Sequence, residues 1–306
     1  MSTTTTTTSP TASPRRATVG SLTFFGVLRS EWIKFRSLRS TQLLLGFTFL
    51  AMVGVGVFAA WMRGFIIQNI MDFGAGGPAA GGGPAAPKMT MDQAIEAASQ
   101  QGIHIYGTPI AGIQLGILIL GALSVLLISS EFGTGMIRST MTAVPKRLPA
   151  FFAKAVVLVV VSYVLTLVAA FVTFLISAPI LGAYGIELSL GMDGVLYSIL
   201  MGGVYVAGVA LAGLSLGTLI RSSAGGIIVL VVLFFLLERG TQLLSLVPGD
   251  FWKYLGQYTP SVSGGRMLEI GEKAAFISPF WGGMIFLGWI VILVVPAVIS
   301  LKTRDV

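Results

Sequence analysis

The chain has 306 residues, of which 55% are apolar and only 10% charged, with a mean hydropathy of +0.90. Soluble domains carry roughly 25% charged residues, so this chain cannot cover its surface with polar groups and its solvent is largely lipid. The absence of cysteine excludes a disulfide framework, a zinc–thiolate site and a thiol nucleophile, and in such a chain the formal charge of +7 does not point to nucleic acid.

Residues 1–20 are a low-complexity Thr/Ser/Pro stretch with no apolar surface to offset ordering, and a disordered tail is expected there. Arg15-Arg16 is read as part of that tail. A twin-arginine export signal would need an uninterrupted apolar run and a small-residue cleavage site, whereas Arg29 and Glu31 interrupt the apolar residues after it. In 21–40, Leu22, Phe25, Leu28, Trp32 and Phe35 recur at three and four residues, the spacing of one helical face. Arg29, Lys34, Arg36 and Arg39 lie among them, so the pattern predicts a basic amphipathic helix at the membrane surface.

A helix needs about 20 apolar residues to cross a bilayer core of roughly 30 Å. Spans are expected at 41–61, 109–129, 150–178, 195–220, 224–244 and 280–301. The loop between the first two contains the Gly/Ala/Pro linker 74–87. After it comes Thr90 with Gln93 three residues later, a capping-box pattern that predicts a short helix. Lys154, near the start of the third span, is expected to snorkel to the interface. The fifth apolar run meets Glu238 and Arg239 after 14 residues, counted from Ala224. Either the helix carries both charges near its end or the chain dips back as a re-entrant segment.

Between the second and third spans lies the polar, basic stretch SEFGTGMIRSTMTAVPKR, 130–147. A bare connector could be a few residues long. Gly133, Gly135 and Pro145 punctuate this one, and Met136, Ile137, Met141 and Val144 fall partly on one face of a short helix. Such a stripe is expected to dock on a partner. Glu131 either neutralises Arg138 or Lys146 or meets a partner group.

Charge sets the orientation. With six spans and the N-terminus in the cytoplasm, thirteen basic residues fall inside and six outside, the outer six being Arg63, Lys88, Arg239, Lys253, Arg266 and Lys273. This excess follows the positive-inside rule. The small-residue pairs Gly112/Gly116, Gly213/Gly217 and Gly208/Ala212 permit close helix approach, within one subunit or at a dimer seam. Gln114, Ser124, Ser162, Tyr163 and Thr166 would either line a path or bond to backbone carbonyls.

The stretches LRSEWIKFRSLRST before span one and SSEFGTGMIRSTMTAVPKRLPAFFAKAVV after span two resemble the corresponding segments of actinobacterial ABC-2-type transporter permeases. The resemblance extends over roughly residues 22–301. It implies an all-α integral membrane protein in which 21–40 is the interfacial elbow helix, including Trp32, Lys34, Phe35 and Arg36. The coupling segment that docks on the ATPase would hold Glu131, Phe132, Gly133, Thr134, Gly135, Met136, Ile137 and Arg138. It further implies a bacterial plasma membrane location, both termini cytoplasmic (302–306 at the C-terminal end), and an external helical or re-entrant segment between spans five and six. Two permeases, as a homodimer or heterodimer, would pair with two ATPase subunits that bind ATP and magnesium, and the assembly would export an amphipathic, drug-like, lipid-like or glycopolymer substrate.

A P-loop requires a lysine directly after a glycine. None of the lysines at 34, 88, 146, 154, 253, 273 and 302 has one, so no ATP site is expected in this chain. His104 is the only histidine and lies in a loop, which leaves a serine hydrolase or a histidine metal site without its parts. The rival reading is a secondary transporter or channel, which would place ionisable groups at midplane; the spans hold almost none.

Overall fold

The computed structural model describes residues 23–73, 89–137, 148–192, 194–244, 246–247, 250–269 and 277–303. These form α1 (Phe24–Ser37), α2 (Arg39–Phe73), α3 (Met91–Gln100), α4 (Ile113–Gly133), α5 (Leu148–Gly182) and α6 (Val195–Ile220). They continue as α7 (Ser223–Leu244), α8 (Asp250–Leu255), α9 (Pro260–Arg266) and α10 (Pro279–Thr303). Among the described residues there is no strand. Six helices are long and apolar enough to cross a membrane: α2, α4 with the 3-10 turn before it, α5, α6, α7 and α10. The chain is a multi-pass membrane protein by this measure. The expected linker 74–87, the N-terminal tail and Arg138, Met141, Val144, Pro145 and Lys146 lie outside the described residues.

α6 is the central helix, 72% buried over its apolar window, against 17% for α7 and 22% for α2. Its Gly, Ala and Ser residues explain this, because small side chains let neighbouring backbones approach. A Cβ at Gly213 would lie 2.5 Å from the Gly121 carbonyl of α4, and one at Gly217 would lie 2.8 Å from that of Val125. Gly208 faces the ring of Phe286 in α10, and Gly112 and Gly116 face Met52 of α2. All these small-residue pairs therefore pack within one chain.

Buried clusters mark the two ends of the bundle. Phe35, Ile128, Ile137, Phe151, Leu214 and Leu301 meet at one end, which gathers α1, the end of α4, the start of α5 and the end of α10. Ile67, Ala94, Ile105, Leu181 and Val195 meet at the other, where α3 lies. α3 begins with the expected capping box: Thr90 Oγ1 accepts from Gln93 N–H and Gln93 Oε1 accepts from Thr90 N–H.

Of the alternatives raised for the fifth apolar run, the helix that carries both charges near its end is found. α7 carries Glu238 and Arg239 within its helix, with a π turn over Val232–Leu236 just before them. The chain beyond then folds back between α6 and α10. Gly264 lies against the Tyr205 ring, where a Cβ would come within 2.2 Å, and Trp289 Nε1 donates to the Tyr258 carbonyl at 2.8 Å. Tyr205 stands ten residues into α6 and Trp289 ten into α10, so this segment reaches about 15 Å along both helices at 1.5 Å per residue. Ser261 Oγ donates to Glu238 Oε2 at 2.6 Å at the same level.

A buried charge cluster and a cleft at the α1 end

α1 is capped by Thr23, whose side chain accepts from Gly26 N–H. The face it packs on the bundle is not the aromatic stripe. Val27, Glu31 and Phe35, at a strict spacing of four, are buried, whereas Phe25 is 79% exposed and Trp32 45% exposed. Trp32 stacks on Phe35 from outside, ring centroids 6.5 Å apart. The stripe that α1 turns to the bundle therefore contains a carboxylate, which needs a partner once buried.

The partner is Lys154. Its Nζ donates to Glu31 Oε2 and to Glu131 Oε1, each at 2.8 Å. Lys34 Nζ donates to Glu31 Oε1 at 2.9 Å and stands 3.9 Å from Glu131 Oε1, close enough for charge attraction but too far for a hydrogen bond. Two carboxylates thus meet two ammoniums, drawn from α1, the end of α4 and the first turns of α5. Burial raises the pKa of Glu31, but the Lys154 and Lys34 ammoniums offset this, and the net value lies below its ordinary 4.5.

Two expectations are corrected here. Lys154 does not snorkel outward; it is 8% exposed because two acids on neighbouring helices hold it inward. Glu131 is 5% exposed and is neutralised by Lys154, with Lys34 nearby, within its own chain.

The remaining residues of the wet stretch divide into two groups. Phe132 is half-buried beneath the Arg221 guanidinium, 5.0 Å from its ring centre. Ile137 is buried in the cluster with Phe35, Phe151 and Leu301. Gly133, Thr134, Gly135 and Met136 are exposed. Thr134 Oγ1 donates to the Ser130 carbonyl at 2.8 Å as α4 ends, and Gly135 has φ +71°, a left-handed conformation suited to glycine, which turns the chain into the next segment. Arg138 lies outside the described residues. On α1, Lys34 is half-buried, Phe35 buried and Arg36 exposed. The Arg36 carbonyl accepts from Gln42 Nε2 at 2.6 Å, which helps hold the turn into α2.

Above the charges lies a cleft of about 370 Å³. Its walls include Phe35, Leu38, Leu127, Met136 and Val157, and its polar atoms come from Glu31, Lys34, Ser130, Glu131, Thr134 and Lys154. Sequence reasoning singled out Lys34, Phe35, Glu131, Thr134 and Met136 but not Glu31 or Lys154 as site residues. Glu31 was detectable from its place midway between Val27 and Phe35 on one stripe. Of the hydroxyls considered for a path, Ser124 and Thr166 donate to carbonyls of their own helices. No protein-family model and no curated protein sequence matches this chain.

Proposed function

We propose that the chain is the membrane subunit of an ATP-driven exporter of the ABC-2 type, working with a separate ATPase. The observation that carries this reading is the meeting of α1 with the wet stretch after α4. The amphipathic helix and the segment between two spans are joined by three buried charges and the half-buried Lys34 at the end of the bundle, while Gly133, Thr134, Gly135 and Met136 remain exposed beside them. A surface so placed suits a partner that must pull on two helices at once. In this reading α1 is the elbow helix, the residues from Glu131 onward form the coupling segment, and the α1 end faces the cytoplasm. The fold-back between α7 and α10 is then an external re-entrant segment. Glu131 and Ile137 support the coupling surface from beneath rather than touching the ATPase. The permease pairs with a second copy.

The orientation rests on the thirteen-to-six basic asymmetry. The cysteine-free chain makes it measurable: Gln100→Cys is expected to react with an impermeant maleimide on intact cells and Ser37→Cys is not. The opposite pattern would invert the topology.

The coupling role is tested by co-expression with an ABC ATPase subunit encoded in the same genome. Wild-type chain should co-purify with it and support substrate-stimulated hydrolysis in nanodiscs. Gly135→Pro should insert normally but lose co-purification, because a left-handed φ of +71° is closed to proline, whose ring fixes φ near −65°. Full assembly and coupled hydrolysis by Gly135→Pro and by a Thr134/Met136 double alanine variant would remove the segment from the interface.

A further inference from the structure

The charge cluster leaves one oxygen over. Glu31 uses both carboxylate oxygens, one on Lys34 and one on Lys154. Glu131 uses only Oε1, which meets both Lys154 and Lys34. Its Oε2 has no hydrogen-bond or ion-pair partner among the described residues, in a side chain that is about nine-tenths or more buried (residue 5% exposed). Nor is that oxygen among the buried polar atoms sealed from solvent. It is therefore open to a further donor, and it belongs to a residue lining the 370 Å³ cleft.

We propose that the cleft binds the headgroup of a membrane phospholipid that ends in a primary ammonium, as in phosphatidylethanolamine. Three features select that chemistry. First, the open position is an acceptor on a carboxylate, so the ligand must bring an N–H donor, and a cationic one forms the stronger bond. Second, Lys34 is 36% exposed at its side chain; its ammonium gives one N–H to Glu31 Oε1 at 2.9 Å and makes only a 3.9 Å approach to Glu131, so of its three N–H donors it has one to offer a phosphate while still paired with Glu31. An ethanolamine phospholipid carries both groups on one short headgroup. Third, Leu38 and Met136 border the cleft and are about half exposed, an apolar rim for the first carbons of acyl chains. Leu38 joins α1 to the first apolar helix, so the rim stands at the end of that helix. The volume lies within the range of small-molecule pockets, about 300–1,000 Å³, and fits a headgroup rather than a whole lipid. The proposal does not depend on the transport reading.

The test uses the full-length chain purified in detergent, with native mass spectrometry against phosphatidylethanolamine, phosphatidylcholine and phosphatidylglycerol of matched acyl chains. Phosphatidylcholine has the same net charge but no N–H donor. Wild-type chain should retain the ethanolamine lipid about tenfold better than the choline lipid, the scale of one hydrogen bond to a charged group. Glu131→Gln should abolish that preference. Leu38→Trp, which fills the rim without touching a charge, should reduce retention of the ethanolamine lipid and leave thermal stability unchanged. Equal retention of ethanolamine and choline lipids by wild type would overturn the proposal. So would an unchanged preference in both variants, the result expected if a water in the void of about 10 Å³ on the other side of the cluster satisfies Oε2 instead. Binding of dodecylamine without retention of the ethanolamine lipid would overturn it too, by giving the cleft to a soluble amphiphilic amine.

Discussion

Replacing Lys154 with methionine is expected to cost about 3–5 kcal/mol of stability, the usual penalty for removing one partner from a buried ion pair. The loss comes less from the missing bonds than from what they leave behind. Glu31 and Glu131, 4% and 5% exposed, would face each other across the space of the ammonium, with only the half-exposed Lys34 beside them. Thermal unfolding in nanodiscs, tracked by the monodisperse size-exclusion signal, should fall by on the order of 10 °C, at about 2–4 °C per kcal/mol for large domains. The triple variant Lys154→Met, Glu31→Gln, Glu131→Gln should recover most of that loss, because replacing a whole buried charge set is often nearly neutral. A Lys154→Met chain that melts with wild type would mean that the cluster is wet and screened, and that α1 is docked by something other than its acid.

The same cluster shows why part of the molecule was legible in sequence and part was not. Span number and order were legible because about 20 apolar residues leave a composition signal whatever they pack against, and the expected 195–220 coincides with α6. Span ends were less so: α2 runs on to Phe73, past the expected 61, because its last turns pack against α3 and the Tyr184 region rather than ending at the bilayer. The capping box at Thr90 was readable since its partners are three residues apart. Glu31, Glu131 and Lys154 were not readable as a unit. Their sequence separations are 123 and 23 residues, and a charge near a span end looks the same whether it snorkels out or turns in. The inner stripe of α1 was hidden for a related reason. Aromatic spacing marked Phe25 and Trp32, yet in a membrane protein the outward face is apolar too, so hydrophobicity alone does not tell core from lipid. What distinguishes the inner stripe is the acid on it. Likewise the fold-back onto Tyr205 depends on Gly264 meeting a ring 59 positions earlier in the chain, and no local pattern encodes that.

The Gly112/Gly116 pair gives the second large effect. Gly112 has φ −78° and ψ −2°, a conformation open to any residue, so torsion does not require glycine there. Contact does. An added Cβ would lie 2.0 Å from the Met52 carbonyl oxygen and 2.7 Å from its Cα, and backbone cannot rotate away as a side chain can. Gly112→Ala therefore has to push α2 from the start of α4, disturbing a core that includes Met52, Ile113 and Ile117; overpacking of this kind costs roughly 1–3 kcal/mol. Four residues on, a Cβ at Gly116 meets only the Met52 thioether, 2.8 Å from Sδ, a flexible end that gives way, and Gly116→Ala should lose much less. Gly288 in α10 has nothing within 4 Å, so Gly288→Ala should be neutral or stabilising by up to about 1 kcal/mol through helix propensity. The same one-carbon change thus carries three different costs, ordered Gly112, Gly116, Gly288, measurable as thermal stability in a single detergent. If Gly112→Ala instead leaves thermal stability intact and weakens self-association, the motif is a seam between copies and the packing of α4 on Met52 of α2 is wrong.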